Sequence, residues 1–240
     1  MSKIRRNYFI RFIGRIIVLI ISIFLYFFQP TSFDILNGWN FFKSFSIFHI
    51  LWIIWFIDVL AQIIPIKNKL SIGSLKLFAK HFKPSKIPVN IEKVKKYLID
   101  TTKSAFKVFI LWVLLTICIG FLYFNNLIDK KIILLISILY YVGDLVCVLI
   151  WCPFRLIMKN KCCTTCRIFN WDHLMMFSPL IFIGGFYAIS LVIIAAIAWL
   201  IWEICILIYP ERFSEISNIS LQCSECTDKL CTQYCKKLKK

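Results

Sequence analysis

Long apolar segments limit what this chain can fold into. Five stretches of the 240-residue chain approach or exceed the roughly 20 residues that a helix needs to cross a bilayer. They cover about residues 12–28, 45–66, 105–128, 132–154 and 174–209. Hydrophobic residues make up 60% of the chain and charged residues only 17%, less charge than a soluble domain carries. The sequence therefore predicts an all-α fold, a polytopic membrane helical bundle of about five transmembrane segments.

The last apolar segment, 174–209, is longer than a membrane requires. One straight helix of this length would measure about 54 Å, whereas the hydrocarbon core of a bilayer is about 30 Å thick. Proline and paired glycines are common causes of sharp helix bends, and the segment contains Pro179 and Gly184-Gly185. We expect it either to project from the membrane or to bend at these residues, so that its first residues lie in the interface.

Basic residues predict the orientation of the chain. The net charge is +17, and ten lysines lie within the connection 67–104 alone. The N-terminal 15 residues and the connection after the fourth segment are also basic, whereas 29–44 and 125–131 carry few cations. The positive-inside rule then predicts a cytoplasmic N-terminus in a plasma or cytoplasmic membrane. Because the lysines flank the spans, we expect them to contact anionic lipid headgroups, not nucleic acid.

The basic connection 67–104 has its own pattern. Apolar residues and lysines interleave between Leu70 and Lys83, which is typical of an amphipathic segment lying in the lipid interface. Pro84 and Pro88 end this pattern. Asn90 then has the position and chemistry of an N-cap, so a new helix is predicted to begin there and to continue into the third span.

Three charged residues interrupt the predicted spans: Arg15, Asp58 and Asp144. At 1.5 Å per residue, each lies roughly 13–17 Å from the cytoplasmic boundary. A charge at that depth costs a few kcal/mol unless it is paired or hydrated. We therefore expect Arg15 to pair with one of the two aspartates. The cluster would either hold the helices together or form an ion or proton pathway.

Seven of the 11 cysteines fall in two short groups. One group precedes the last apolar segment and one lies in the tail 210–240; their members are Cys162, Cys163 and Cys166, and Cys223, Cys226, Cys231 and Cys235. Each group contains a C-x₂-C pair, a spacing that lets two thiolates bind one ion. Four thiolates suit Zn²⁺ or an iron–sulfur cluster.

The sequence therefore predicts a metal site with Cys163 and Cys166 as its core pair, completed by tail cysteines, with Cys152 as a spare ligand. Lysines and an arginine around the first group are expected to lower the pKa of its thiols. Cys118, Cys147 and Cys205 lie within spans, where we expect them to pack as small apolar residues.

Membrane topology decides whether the two cysteine groups can meet. Five crossings would place the tail outside the cell, where its four cysteines would most simply form two disulfides. If the last segment does not cross completely, the tail returns to the cytoplasmic face and a shared site becomes possible. Both alternatives remain open from the sequence.

The pattern leaves three functions open for the transmembrane domain, 1–209, and its tail. The first is membrane redox or electron transfer at a cysteine-ligated iron–sulfur or zinc site, with a protein redox partner or a second copy of the chain as partner. The second is a transporter or channel that uses Arg15, Asp58 and Asp144. The third is a non-catalytic scaffold stapled by zinc or disulfides. Enzymatic activity is neither predicted nor excluded.

Overall fold

The computed structural model describes residues 3–64, 74–85, 88–159, 162–163 and 165–225. These residues form helices and turns, and no β-strand occurs among them. The α-helices are α1 (Lys3–Phe28), α2 (Ile47–Ile63), α3 (Ser74–Leu77), α4 (Ile91–Phe124), α5 (Lys130–Leu149), α6 (Phe154–Met158), α7 (Asp172–Phe177) and α8 (Gly185–Ile208). Short 3₁₀ helices cover Pro30–Leu36, Asn40–Phe42, Ala79–His81, Ile168–Asn170, Ser178–Phe182, Pro210–Phe213, Ile219–Leu221 and Cys223–Glu225.

Four helices, α1, α4, α5 and α8, are long and apolar enough to cross a membrane. Helix α2 is apolar but has only 17 residues, so four helices reach this length where about five segments were predicted. Many large apolar side chains of the long helices are exposed, such as Phe27, Phe28 and Leu207. Apolar surface of this extent is covered by lipid in a membrane protein. The all-helical fold is confirmed, and the apolar helices indicate a membrane-embedded protein.

The last apolar segment bends where proline and glycine were expected to bend it. Helix α7 ends at Phe177, a 3₁₀ turn follows over Ser178–Phe182, and α8 begins only at Gly185. Gly184 and Gly185 both have positive φ angles, +68° and +74°, which glycine adopts without steric cost.

Residues 171–185 run along the bundle instead of lying across its end. The indole nitrogen of Trp171 donates to Glu203, which lies 18 residues after Gly185 in α8, about 27 Å along the helix axis. At the other end of the segment, Phe182 contacts the backbone of Gly120, and Gly185 touches Gly38. The segment is buried among the helices along most of this path.

We call the end of the bundle that contains the start of α1 and the end of α8 the basic end. The sequence correctly predicted how α4 begins there: the side chain of Asn90 accepts a hydrogen bond of 2.8 Å from the amide of Glu92. The first turns of α4 pack against the end of α8, through Val94, Leu98 and Trp202. Of the predicted interfacial segment, residues 70–73 lie outside the described residues.

The described part of the tail docks on the basic end. Pro84 and Asn218 form an antiparallel bridge. The amide of Ile219 donates to the carbonyl of Lys83 at 2.9 Å, and the amide of Ser85 donates to the carbonyl of Ser217 at 3.0 Å. The tail up to residue 225 therefore lies at the same end as residues 74–85, which favours the topology with a returning tail.

A substitution at Gly185 tests whether the turn into α8 requires glycine. A Cβ at this position would lie 2.9 Å from the Gly38 amide nitrogen and 3.0 Å from its carbonyl oxygen, and the φ of +74° would be strained. We expect Gly185→Ala to lower the free energy of unfolding by about 2 kcal/mol or more, because strain and backbone overlap act together. Thermal unfolding in detergent measures this. Gly143→Ala is the control: it has open space around it and should be neutral or slightly stabilising.

Candidate functional site

Arg15 and Asp144 form an ion pair between α1 and α5. The Nη1 atom of Arg15 donates to Asp144 Oδ2 at 2.8 Å and to the Tyr141 carbonyl at 2.6 Å. The guanidinium also lies over the Tyr141 ring, 3.7 Å from its centroid. Both charged side chains are largely buried, with 12% and 27% of their surfaces exposed. Matched depth in the membrane thus brings these two charges together.

Asp58 reaches the same cluster through Tyr141. The phenol oxygen of Tyr141 donates to Asp58 Oδ2 at 3.2 Å. Tyr141 therefore links Asp58 to the Arg15–Asp144 pair, with the Arg15 guanidinium over its ring. The three charges that the sequence places at one depth belong to one polar cluster.

Sequence reasoning missed two further members of this cluster, Asp172 and His173 of α7. Gln62 Nε2 is 3.2 Å from both carboxylate oxygens of Asp172, and His173 Nδ1 is 3.0 Å from Asp172 Oδ1. These groups, together with Arg15 and both other aspartates, line a cavity of about 90 Å³. The two residues precede the last apolar segment, and only the bend in that segment brings them to this depth.

The first cysteine group forms a tight turn at the basic end. The amide of Cys166 donates to the carbonyl of Cys163 at 3.1 Å, as in a β-turn. Lys76 is buried under this turn and donates from Nζ to the Cys166 carbonyl at 3.2 Å. Burial lowers the pKa of Lys76 to about 8. Thr164 lies outside the described residues.

Arg167 anchors the same loop to α8 and α4. Its guanidinium forms an ion pair with Glu203, and its Nε atom donates to Thr102 Oγ1 at 3.2 Å. Trp171 Nε1 donates to the other Glu203 oxygen at 2.8 Å. The position of the loop relative to the helices is therefore fixed by a network of charged and neutral hydrogen bonds.

The expected pKa of the loop thiols is wrong for Cys163. Burial first, and then the neighbouring Cys166 and Cys162 thiols, raise the pKa of Cys163 to about 12. The positive charge of Arg167 is directed to Glu203, and Lys159 is exposed, so desolvation outweighs the attraction of nearby cations.

Five cysteines from three parts of the chain line one cavity of about 180 Å³ next to the loop. They are Cys147 of α5, Cys152, and the loop residues Cys162, Cys163 and Cys166. The thiols of Cys147 and Cys152 are hydrogen-bonded to each other. Cys147 was expected to be only a packing residue, because its position within a span gave no sign of these neighbours.

The predicted metal ligands are only partly covered by the structure. Within the described ranges, no three His, Cys, Asp or Glu side chains surround a common point as metal ligands do. Cys223 is exposed at the basic end, and Cys226, Cys231 and Cys235 lie outside the described residues. A site completed by the tail therefore stays a prediction.

Comparisons with protein families, with curated proteins and with solved structures find no match to this chain. The two neighbouring cavities and the loop at the basic end are therefore the features that bear on its function.

Substitutions of Arg15 and Asp144 test whether the two charges stabilise the protein as a pair. Arg15→Leu should lower the free energy of unfolding by about 3 kcal/mol, because it leaves a buried carboxylate without its partner. Arg15→Leu combined with Asp144→Asn should be less destabilising than Arg15→Leu alone. Denaturation in detergent gives the coupling energy of this double-mutant cycle. Exposed Arg6 is the control, and Arg6→Leu should be additive with Asp144→Asn. Additivity for Arg15 as well would contradict the pairing.

Proposed function

We propose that this integral membrane protein holds a metal through cysteine thiolates at its basic end, and that the metal centre transfers electrons. The observation that carries this proposal is the docking of the tail on residues 77–85. It puts Cys223 at the same end of the bundle as the turn from Cys162 to Cys166. The two cysteine groups are then on one side of the membrane, which a shared site requires.

The cysteine turn has suitable chemistry for such a centre. Cys163 and Cys166 are held by a backbone hydrogen bond within a turn that Arg167 and Lys76 fix to the helices. Ligands on a braced turn are pre-organised, which favours tight binding. The proposed ligands are Cys162, Cys163, Cys166, Cys223, Cys226 and Cys231, with Cys152 and Cys235 as further candidates.

The identity of the metal separates a redox role from a structural one. An iron–sulfur cluster held by four thiolates can accept and donate an electron. Zinc has no redox chemistry, so a zinc site would only staple the tail to the bundle. The raised pKa of Cys163 does not prevent it from binding a metal, because the metal itself deprotonates a thiol that coordinates it.

For the membrane arrangement, we infer that the basic end is cytoplasmic, in a plasma or cytoplasmic membrane. Helix α2 and the segment 171–185 would then cross together with the four long helices, an even number of crossings. The exposed lysines between residues 80 and 107 would face anionic lipid headgroups. A protein redox partner or a second copy would meet the centre from the cytoplasm.

An ion or proton pathway is the second candidate, favoured by the cavity beside the charge cluster. Asp58, Asp144 and Asp172 contribute three carboxylates against two guanidiniums, those of Arg11 and Arg15. His173 adds a group that can bind a proton near neutral pH. Polar groups of this kind at membrane depth often mark pathways for ions or protons. Flux measured in liposomes tests this candidate.

Metal analysis tests the proposed centre. We expect purified protein to contain iron with sulfide, or zinc, and Cys163→Ser with Cys166→Ser to lose it, because the core pair is removed. The same change should expose the tail to proteolysis. Cys118→Ser with Cys205→Ser is the matched control, since these thiols do not line the cysteine cavity. Equal metal content in both double variants would contradict the proposed ligands.

Reporter fusions test the topology. A fluorescent protein that folds only in the cytoplasm, fused after Lys240, should fluoresce, because an even number of crossings returns the tail to the side of the N-terminus. A second reporter, an enzyme that is active only outside the cytoplasm, is inserted after Asn126 at the opposite end of the bundle. We expect this insertion to be active. A dark C-terminal fusion with normal expression would contradict the arrangement.

A further inference from the structure

A second thiol pair lies deeper than the cysteine turn. Cys147 belongs to the last turn of α5, and Cys152 follows the helix end. Their thiols are hydrogen-bonded to each other. Both line the 180 Å³ cavity beside the cysteine turn, and neither belongs to the core pair of the metal centre proposed above, for which Cys152 is only a spare ligand.

The surroundings of this pair are soft and largely apolar. Met175 and Met176 of α7 line the same cavity, as do Trp112, Tyr140 and Phe154. Thiolate and thioether sulfurs are the ligands that select Cu(I) among biological metals.

The two carboxylates that border the cavity are occupied elsewhere. Asp144 accepts from Arg15, and Asp172 accepts from Gln62 and contacts His173. They are therefore poorly available as hard oxygen ligands for Zn²⁺ or Mg²⁺. The side chains that remain to contact an ion in this cavity are mainly sulfur ligands.

Coordination number separates the candidate metals. Zinc sites in proteins are almost always four-coordinate, and the described residues bring no three His, Cys, Asp or Glu ligands to one point. Cu(I) is satisfied by two thiolates in a roughly linear arrangement. The hydrogen-bonded thiols of Cys147 and Cys152 supply these two ligands, with the Met175 and Met176 thioethers lining the same cavity.

The charge of such a complex can be balanced locally. Two thiols and one Cu⁺ give a bis-thiolate complex with one negative charge and release two protons, with no change of oxidation state. Arg155 lines the cavity, and the backbone amides of Phe154 and Arg155 lie near the Cys152 thiol. These groups stabilise negative charge on that sulfur.

We propose that Cys147 and Cys152 form a two-coordinate Cu(I) site inside the membrane domain, with Met175 and Met176 beside it. This site is separate from the proposed metal centre at the cysteine turn. It gives the protein a second, soft-metal chemistry next to its charge cluster.

Cu(I) titration against a chromophoric chelator, under anaerobic reducing conditions, tests the site. The full chain is used with serine at the tail cysteines 223, 226, 231 and 235, because these thiols would also bind Cu(I). We expect Cys147→Ser with Cys152→Ser to remove one tightly bound equivalent, and Cys163→Ser with Cys166→Ser to retain it. The reverse result would overturn the proposal.

X-ray absorption on the same protein, with its native Cys147 and Cys152 and one equivalent of Cu(I), needs no variant of the pair. Two sulfur neighbours support the site, whereas three or four sulfurs, or nitrogen and oxygen neighbours, overturn it. A disulfide between the two residues in reduced protein would also overturn it. The iron and zinc content of the unmodified chain decides the other centre independently.

Discussion

The turn at Gly184-Gly185 determines which parts of this protein can meet. The backbone of Gly185 lies against that of Gly38, so the chain can enter α8 only without a side chain at this point. Because the turn lies at the end opposite the basic end, residues 171–185 and α8 run in opposite directions beside each other. The tail therefore returns to the side of the cysteine turn. With one straight helix over this stretch, the two cysteine groups would lie on opposite sides of the bundle.

The fold follows from the sequence wherever the membrane imposes a simple rule. Length and apolar composition predicted the helical membrane class, and a cap residue predicted the start of α4 at Asn90. The buried charges also followed from depth, since Arg15 and Asp144 lie at matching distances from the basic end and form an ion pair. A charge in lipid is too costly to remain without a partner, and this makes its neighbours predictable.

The other features of the fold and of the two cavities depend on tertiary packing, which the sequence pattern does not predict. Proline and glycine predicted that the last segment bends, but not that the residues before the bend are buried among the helices. Asp172 and His173 join the charge cluster for this reason, although they lie outside the predicted spans. The pairing of Cys147 with Cys152 was equally hidden, because the helix ends between them and a spacing rule for one helix does not apply. The basic surroundings of Cys163 gave the wrong direction for its pKa, because desolvation outweighs the field of exposed Lys159.

The two cavities share a wall, which couples their electrostatics. Asp144 and Asp172 border both the sulfur-lined cavity and the charged one. In a low-dielectric interior, a negative charge on one side of this wall raises the cost of a carboxylate on the other. Arg15 and Arg155 stand on the two sides, one against Asp144 and the other lining the sulfur cavity. Negative charge placed in the sulfur cavity therefore acts on the same two carboxylates that Arg15, Gln62 and His173 hold in the charged cavity.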